Sequence, residues 1–426
     1  MTVNENRTGY KKTNFGWIPD DWGLRHLSEC AKVMFSNVDK KTNIKELPVL
    51  LCNYMDVYYN DYITEDLNFM QATAKITEIE KFSLKKGDVI ITKDSETPDD
   101  IGVPAFVSEN LKNVLCGYHL ALIRPNRKIL IGEYLSKLFQ LQIYRYYFFT
   151  LANGVTRFGL TTPATLQSLI PLPSPEEQSK IATILSTWDR AIELTEKLIQ
   201  AESSRKKGLM QQLLTGKKRF GVFVKSKDYF ETKLGVIPKD WKVKKANQIF
   251  KNYSQKNNKN EQLLSATQEN GVIPRDMIEG RVTMPHGSTN AFKLVDIGDF
   301  VISLRSFQGG LEFSNYRGIV SPAYTVLKPK IEIDKKFYKY YFKSRDFISR
   351  LAVAVIGIRD GKQISYNDFS VMNLPYPPIP EQIKIATVLT ACDQKITLLS
   401  KKLEALKTQK KGLMQKLLTG AVRVKT

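Results

Sequence analysis

The eleven residues KKGLMQQLLTG, Lys206 to Gly216, return as KKGLMQKLLTG, Lys410 to Gly420. A shift of 204 positions aligns Glu177–Gly216 with Glu381–Gly420 without a gap, and 22 of those 40 positions are identical. A second match has its own offset. YKKTNFGWIPDDW (Tyr10–Trp22) answers YFETKLGVIPKDW (Tyr229–Trp241), 219 positions on, so the first copy holds 15 more residues between its landmarks. Two ordered pairs of landmarks constrain topology before any local pattern does: the chain has to fold as two copies of one unit. At 426 residues, each copy is long enough to bury a core of its own.

Each copy is a variable body followed by a repeated helical segment. The bodies run from about Gly16 to Pro175 and from about Gly235 to Pro380. Inside them the likeness is weak but ordered. KKGDVIIT (Lys85–Thr92) resembles DIGDFVIS (Asp296–Ser303), and LALIRP (Leu120–Pro125) resembles TVLKP (Thr325–Pro329). Short β-branched runs such as PVLLCNYMDVYYNDYI alternate with turn signals and with helix-like stretches, GEYLSKLFQLQIYRYYFF and KKFYKYYFKSRDFISRL. Both bodies read as α+β. Joining LLTGAVRVKT at the C-terminus to MTVNENRTGYKKTNFGWIPDDW at the N-terminus recreates the link in the middle of the chain. The expected arrangement is pseudo-twofold and circular, with the termini close together.

The repeated segments carry a heptad seam. In the second copy it runs Ile385, Leu389, Cys392, Ile396, Leu399, Leu403, Leu406, Leu413 and Leu417, broken by Lys410. The first keeps the register with Ile181, Leu185, Trp188, Ile192, Thr195, Ile199, Leu209 and Leu213, softened by Glu202 and Lys206. Prolines precede both segments and Gly216 and Gly420 close them. Asp189 and Asp393 are candidate N-caps, where each helix would break. Forty helical residues span about 60 Å, and neither helix buries such a seam alone. Each copy's nearest partner is the other, and the two are expected to pair antiparallel as a coiled coil, the alternatives being that each helix packs on its own body or that the chain dimerises.

Lys and Arg exceed Asp and Glu by 21, a surplus that points to a polyanionic partner, double-stranded DNA first. No apolar run approaches the roughly 20 residues of a membrane span, no secretory signal opens the chain, and four scattered cysteines suit a reducing cytosol. A cytoplasmic protein without membrane contact is the expectation.

Candidate DNA contacts lie in loops and basic–aromatic stretches. KDSET supplies Lys93 and Ser95, NGVTRFGL supplies Thr156 and Arg157, and LRSFQGG supplies Arg305 and Gln308. GIRDGKQI supplies Arg359 and Lys362, and Arg145 and Lys343 sit among tyrosines in IYRYYFF and KFYKYYFKSR. Lys, Arg and Gln can reach phosphates or base edges. Most of the neighbouring aromatics read as core. Catalysis has no such support. NLPY (Asn373–Tyr376) is only superficially like an adenine-methyltransferase motif, no P-loop appears, and PDD (Pro98–Asp100) lacks partners for a metal-dependent nuclease. The three histidines have no metal-ligand spacing.

Taken together, the paired GWIPDDW and GVIPKDW entries, the EQSKIATIL and EQIKIATVL helix starts, both KKGLMQxLLTG ends and LLSATQENGVIPRDM (Leu263–Met277) resemble the specificity subunits of type I restriction–modification systems, over essentially the whole chain. The resemblance implies a non-catalytic subunit. Residues 1–175 would be a first target recognition domain, 176–216 a helical spacer, 217–380 a basic link and second recognition domain, 381–420 a second spacer and 421–426 a tail. Each domain would read one part of a split, asymmetric DNA sequence. The paired helices would set the gap and dock two modification subunits. Their docking and pairing positions would be Ile181, Leu185, Trp188, Ile192, Leu209, Leu213, Ile385, Leu389, Ile396, Leu403, Leu413 and Leu417. No cofactor or metal belongs to this chain in that scheme. S-adenosylmethionine serves the modification subunits, and ATP with Mg serves two restriction subunits where a system has them. The rival class is a DNA-binding coiled-coil scaffold outside restriction–modification.

Overall fold

The computed structural model describes residues 7–278, 289–355 and 364–424. Contacts divide the chain into two compact units, Met1–Thr195 with Lys402–Thr426, and Glu196–Lys401. The linear segments follow chain order, whereas each unit gathers one body, the start of one long helix and the end of the other.

In the first unit a five-stranded sheet runs in the order Ala31–Phe35, Leu120–Pro125, Val89–Thr92, Pro104–Val107, Tyr62–Ile63. Two of its three inner strands carry unbroken apolar runs, Val89–Ile91 and Leu120–Ile123, and the structure shows why. Val89, Ile91, Ala121 and Ile123 enter one core cluster, while Ile90, Leu120 and Leu122 enter another on the opposite face. Successive strand residues point to opposite faces, so a strand covered on both sides has no polar position to alternate with. The second unit repeats the plan with Phe250–Tyr253, Thr325–Pro329, Phe300–Ile302 and Glu312–Phe313. There Phe300, Ile302 and Leu327 face one cluster and Val301 and Val326 the other. The GD-initiated runs and the strands ending in Pro125 and Pro329 hold equivalent places.

Local chemistry cuts some stretches shorter than their periodicity suggests. PVLLCNYMDVYYNDYI becomes the strand Leu47–Cys52, a turn of helix at Tyr54–Tyr58 and the short strand Tyr62–Ile63. The Asn53 amide donates to the Asp56 carboxylate at 2.7 Å and starts that helix. GEYLSKLFQLQIYRYYFF forms two helices, Gly132–Phe139 and Gln142–Leu151. Its counterpart forms Lys335–Tyr341 and Arg345–Val355, where the Phe347 amide donates to Ser344 Oγ. Tyr144, Phe148, Phe337, Tyr338, Tyr340 and Tyr341 are buried, and Tyr146 is exposed.

The long helices are Pro175–Leu213 and Ile379–Leu418. Both run unbroken through Asp189 and Asp393, which corrects the expected breaks. Neither aspartate caps anything, because each is held by side chains of its own unit. In the first unit Asp189 takes Lys137 at 2.5 Å, a hydroxyl hydrogen bond from Tyr62 at 2.8 Å and an ion pair with Lys410. In the second, Asp393 pairs with Lys206 at 2.5 Å and accepts from Tyr340 at 2.7 Å. The two lysines that interrupt the heptad seam therefore have partners, and those partners are the supposed caps. Lys410 meets Asp189 in one unit and Lys206 meets Asp393 in the other, so within each unit the start of one long helix lies against the end of the other.

The landmark residues also meet. Trp22 Nε1 donates to Glu177 at 3.2 Å, and Trp241 Nε1 donates to Glu381 at 2.9 Å. Each glutamate receives a two-pronged arginine, Arg423 or Arg219, at 2.8–2.9 Å. Each arginine also binds the aspartate before the tryptophan, Asp21 at 2.8 Å or Asp240 at 2.6 Å. Gly216 and Gly420, both at φ +71°, turn the chain where a Cβ would lie 2.4–2.5 Å from Pro238 or Pro19. Tyr10 OH donates to the Gly420 carbonyl at 2.9 Å, as Tyr229 OH does to that of Gly216 at 3.4 Å. The C-terminal turn thus meets the N-terminal hairpin through the contacts that the continuous link makes mid-chain.

Gly208 and Gly412, inside the repeated KKGLMQ, are the opposite case. They are helical and nothing lies within 4 Å of a Cβ built on either. Gly208→Ala and Gly412→Ala should each stabilise the isolated chain by about 0.5–1 kcal/mol in urea unfolding, since helical glycine costs that much relative to alanine.

Candidate nucleic-acid interface

In the first unit two loops that lie far apart in sequence become one surface. Asp94–Ser95 pairs antiparallel with Phe158–Gly159, and the Leu160 amide donates to the Lys93 carbonyl at 2.7 Å. The hairpin carrying Thr156 and Arg157 is closed by reciprocal Asn153 and Gly159 backbone hydrogen bonds of 2.9 and 3.0 Å. It is tight enough that a Cβ on Gly154 would sit 1.9 Å from the Arg157 carbonyl oxygen. Val155, Thr156 and Arg157 form its exposed tip, and Val155 is 92% exposed.

Lys93, Ser95, Thr156 and Arg157 are therefore neighbours. Lys93 is half-buried, donates to the Ser36 carbonyl at 2.9 Å and lies over the Phe35 ring; burial pushes its pKa down. Ser95 Oγ accepts from Tyr54 OH at 3.2 Å. Arg157 Nη2 lies 2.9 Å from Asp94 Oδ1 and 2.7 Å from His119 Nδ1, and His119 also contacts Asp94. Burial holds the His119 pKa below the usual histidine value, against the opposing pull of Asp94. Asp94, His119, Tyr54 and Val155 are the members of this surface that residue patterns do not reveal. His119 stands immediately before the strand Leu120–Pro125, yet only the pairing of that strand with Val89–Thr92 carries it to the loop.

The remaining candidates lie elsewhere. Arg145 is exposed on the helix Gln142–Leu151. Arg305 and Gln308 are exposed at a one-turn helix, Ser306–Gly309, where a loop was expected; the Ser303 amide donates to Ser306 Oγ at 2.8 Å and folds the turn. Arg359 and Lys362 lie outside the described residues. Lys343 serves the fold of its own unit. Its ammonium contacts Glu312 at 2.7 Å and the carbonyls of Gly309 and Gln268 at 2.9 and 3.2 Å. Glu312 is buried, and burial raises its pKa despite the lysine. Lys343→Ala should cost about 2 kcal/mol in thermal or urea unfolding, less than a wholly buried pair because the lysine is partly exposed. Of the helix positions, Ile181, Leu185, Leu213, Ile385, Leu389 and Leu417 are buried. Trp188, Ile192, Leu209, Ile396, Leu403 and Leu413 are half-buried.

Comparison with known proteins matches residues 19–202 and 238–408 to one family model, the type I restriction modification DNA specificity domain. The chain belongs to that family. Two relatives from Methanocaldococcus jannaschii, the type I restriction enzyme specificity subunits MjaX and MjaVIII, are each 28% identical, over 98% of this chain and 97% of theirs. The crystal structure of a type I system S subunit from M. genitalium aligns over 98% of both chains with a TM-score of 0.55 at 15% identity, a likeness of fold. All but the first few residues of each body of this specificity subunit fall within the matched regions. It is a non-catalytic member of its system, and NLPY is an ordinary strand, Asn373–Tyr376, paired with Lys242–Lys245. Among the described residues no group of three or more His, Cys, Asp or Glu gathers to hold a metal. No helix among them is long and apolar enough to cross a membrane.

Proposed function

We propose that each body, within residues 1–175 and 217–380, reads one part of a bipartite, asymmetric DNA target. In this reading the two long helices pair as an antiparallel coiled coil, set the number of unread bases between the parts, and dock two modification subunits. Those subunits bind S-adenosylmethionine and methylate adenine, and two restriction subunits using ATP and Mg join where the system has them. The complex works in the cytoplasm. The observation that carries the reading is duplication with divergence: two sheets that share an order of four strands, closed by the same Trp–Glu–Arg–Asp contact, bear unlike loops where the candidate DNA residues stand. The surplus of 21 positive charges suits a phosphate backbone.

The test is to co-express the chain with its modification subunit and map N6-methyladenine across the genome by single-molecule sequencing. The expected result is one motif of two defined parts around a constant run of unspecified bases. Replacing residues 235–380 by those of another specificity subunit should change one part only. A continuous motif, or a stable complex that methylates nothing, contradicts the reading. The docking role makes a further demand on the open helical glycines. If a partner approaches there, Gly208→Ala weakens assembly with the modification subunit while stabilising the free chain.

A further inference from the structure

Arg157 is on the exposed tip of its hairpin, with its side chain 58% exposed, yet it is not a swinging surface arginine. Among the described residues every polar contact of its guanidinium is made through Nη2, to Asp94 Oδ1 at 2.9 Å and to the His119 ring nitrogens at 2.7 and 3.1 Å. Nη1 and Nε are left as donors on an open edge. The contacts that hold Arg157 are themselves held. Asp94 stands on the strand paired with Phe158–Gly159, directly after the arginine, and is 21% exposed. His119 is 13% exposed, its carbonyl accepts from the Lys93 amide at 3.0 Å, and its ring packs on Tyr118 at a centroid distance of 3.6 Å.

Charge separates the two things an exposed arginine does on DNA. A phosphate contact is chiefly Coulombic and gains from uncompensated positive charge. Here a carboxylate oxygen lies 2.9 Å from the guanidinium, so the Arg157–Asp94 pair by itself carries no net charge. The attraction of that pair to phosphate is reduced, while directed N–H donors remain, oriented before any ligand arrives. Guanine is the base that offers two acceptors, O6 and N7, on its major-groove edge, and a planar fork of donors matches them.

We propose that Arg157 reads a guanine in the part of the target recognised by the first body, with Asp94 and His119 as positioning residues that hold its donor edge. The proposal deepens the specificity reading above and rests on it.

The test uses the full chain assembled with its modification subunits and duplexes carrying the methylated motif. Each guanine in the part read by the first body is replaced in turn by 7-deazaguanine, which lacks the N7 acceptor. One such replacement is expected to weaken binding about tenfold. Arg157→Ala should bind the normal duplex about tenfold more weakly and show no further loss with that replacement. Should Arg157→Ala abolish binding, the series is read with Arg157→Lys, which keeps the charge and lacks the fork. Asp94→Asn should relax the guanine preference at that one position and leave the other part of the motif unchanged, an effect that general damage to the fold does not produce. The proposal is overturned if the first part contains no guanine, or if 7-deazaguanine costs the variant as much as the unsubstituted protein. A uniform loss with no base-specific component also overturns it, since that marks a phosphate contact. In each of those results the bipartite motif itself survives, whereas failure of the specificity reading removes the motif from the unsubstituted protein.

Discussion

Arg219→Ala is expected to destabilise the second unit by about 3–5 kcal/mol in equilibrium urea unfolding. The arginine side chain is 4% exposed and the Glu381 side chain it grips is fully buried. Removing the guanidinium leaves Glu381 in the interior with the Trp241 indole N–H as its remaining side-chain donor, at 2.9 Å. It also takes a donor from the Phe223 carbonyl and the counter-charge from Asp240. A buried carboxylate stripped of its cation loses the attraction that offset its desolvation. Arg219→Lys should recover only part of the loss, because a single ammonium cannot reproduce the two parallel N–H···O bonds of the fork. Arg423→Ala removes the matching cation in the first unit, but that side chain is 41% exposed and Asp21 is 64% exposed. Water can replace part of what is lost, so its cost should be smaller, about 1–3 kcal/mol. Equal losses at the two sites, or a loss below about 1 kcal/mol for Arg219→Ala, contradict this account.

Asp189→Ala is the second large effect, again about 3–5 kcal/mol. Lys137 is completely buried, and Asp189, at 2.5 Å, is its salt-bridge partner. The same substitution at Asp393 should cost only about 1 kcal/mol, because Asp393 is 36% exposed and Lys206 24% exposed. Asp189 also carries a pH signature. Burial pushes its carboxyl up, but Lys137 and Lys410 together hold it below the usual aspartate value. A carboxyl whose folded pKa is depressed contributes stability above its unfolded value of about 4, and that contribution is lost as pH falls through the folded value. The stability difference between the unsubstituted chain and Asp189→Asn should therefore be constant above about pH 5 and shrink on acidification below it. A difference that grows on acidification would contradict the assignment.

How far such features can be read from residues alone depends on their kind. The two-sided strands are legible because burial on both faces writes itself as continuous runs, GDVIIT and LALIRP. The landmark tryptophans and glutamates are legible as repeated letters, though not as partners: Trp22 and Glu177 are 155 residues apart, and Trp241 and Glu381 are 140 apart. Asp189 and Asp393 suggest helix breaks because aspartate caps helices by a local hydrogen bond. Their use as counter-ions depends on lysines that reach them from elsewhere in the fold. The loops that carry the candidate DNA residues are each visible through glycine, arginine and polar residues. Their junction was not, because a two-residue ladder has no periodicity to detect. His119 looks isolated in a chain of three scattered histidines, since spacing along the chain cannot show which strand lies beside it.

The sequence by itself determined the duplication, the order of body and helix in each half, the apolar strands and the family. These follow from residue identity and order, which survive in a linear string. Tertiary structure alone decided that the lysines in the seam answer the aspartates, that Glu177 and Glu381 are buried against tryptophan and arginine, and that Asp94 and His119 stand behind Arg157. Those facts belong to long-range pairing. Desolvation and directional hydrogen bonding give a charged side chain its role only once distant segments have met, and no local pattern encodes which segments those are.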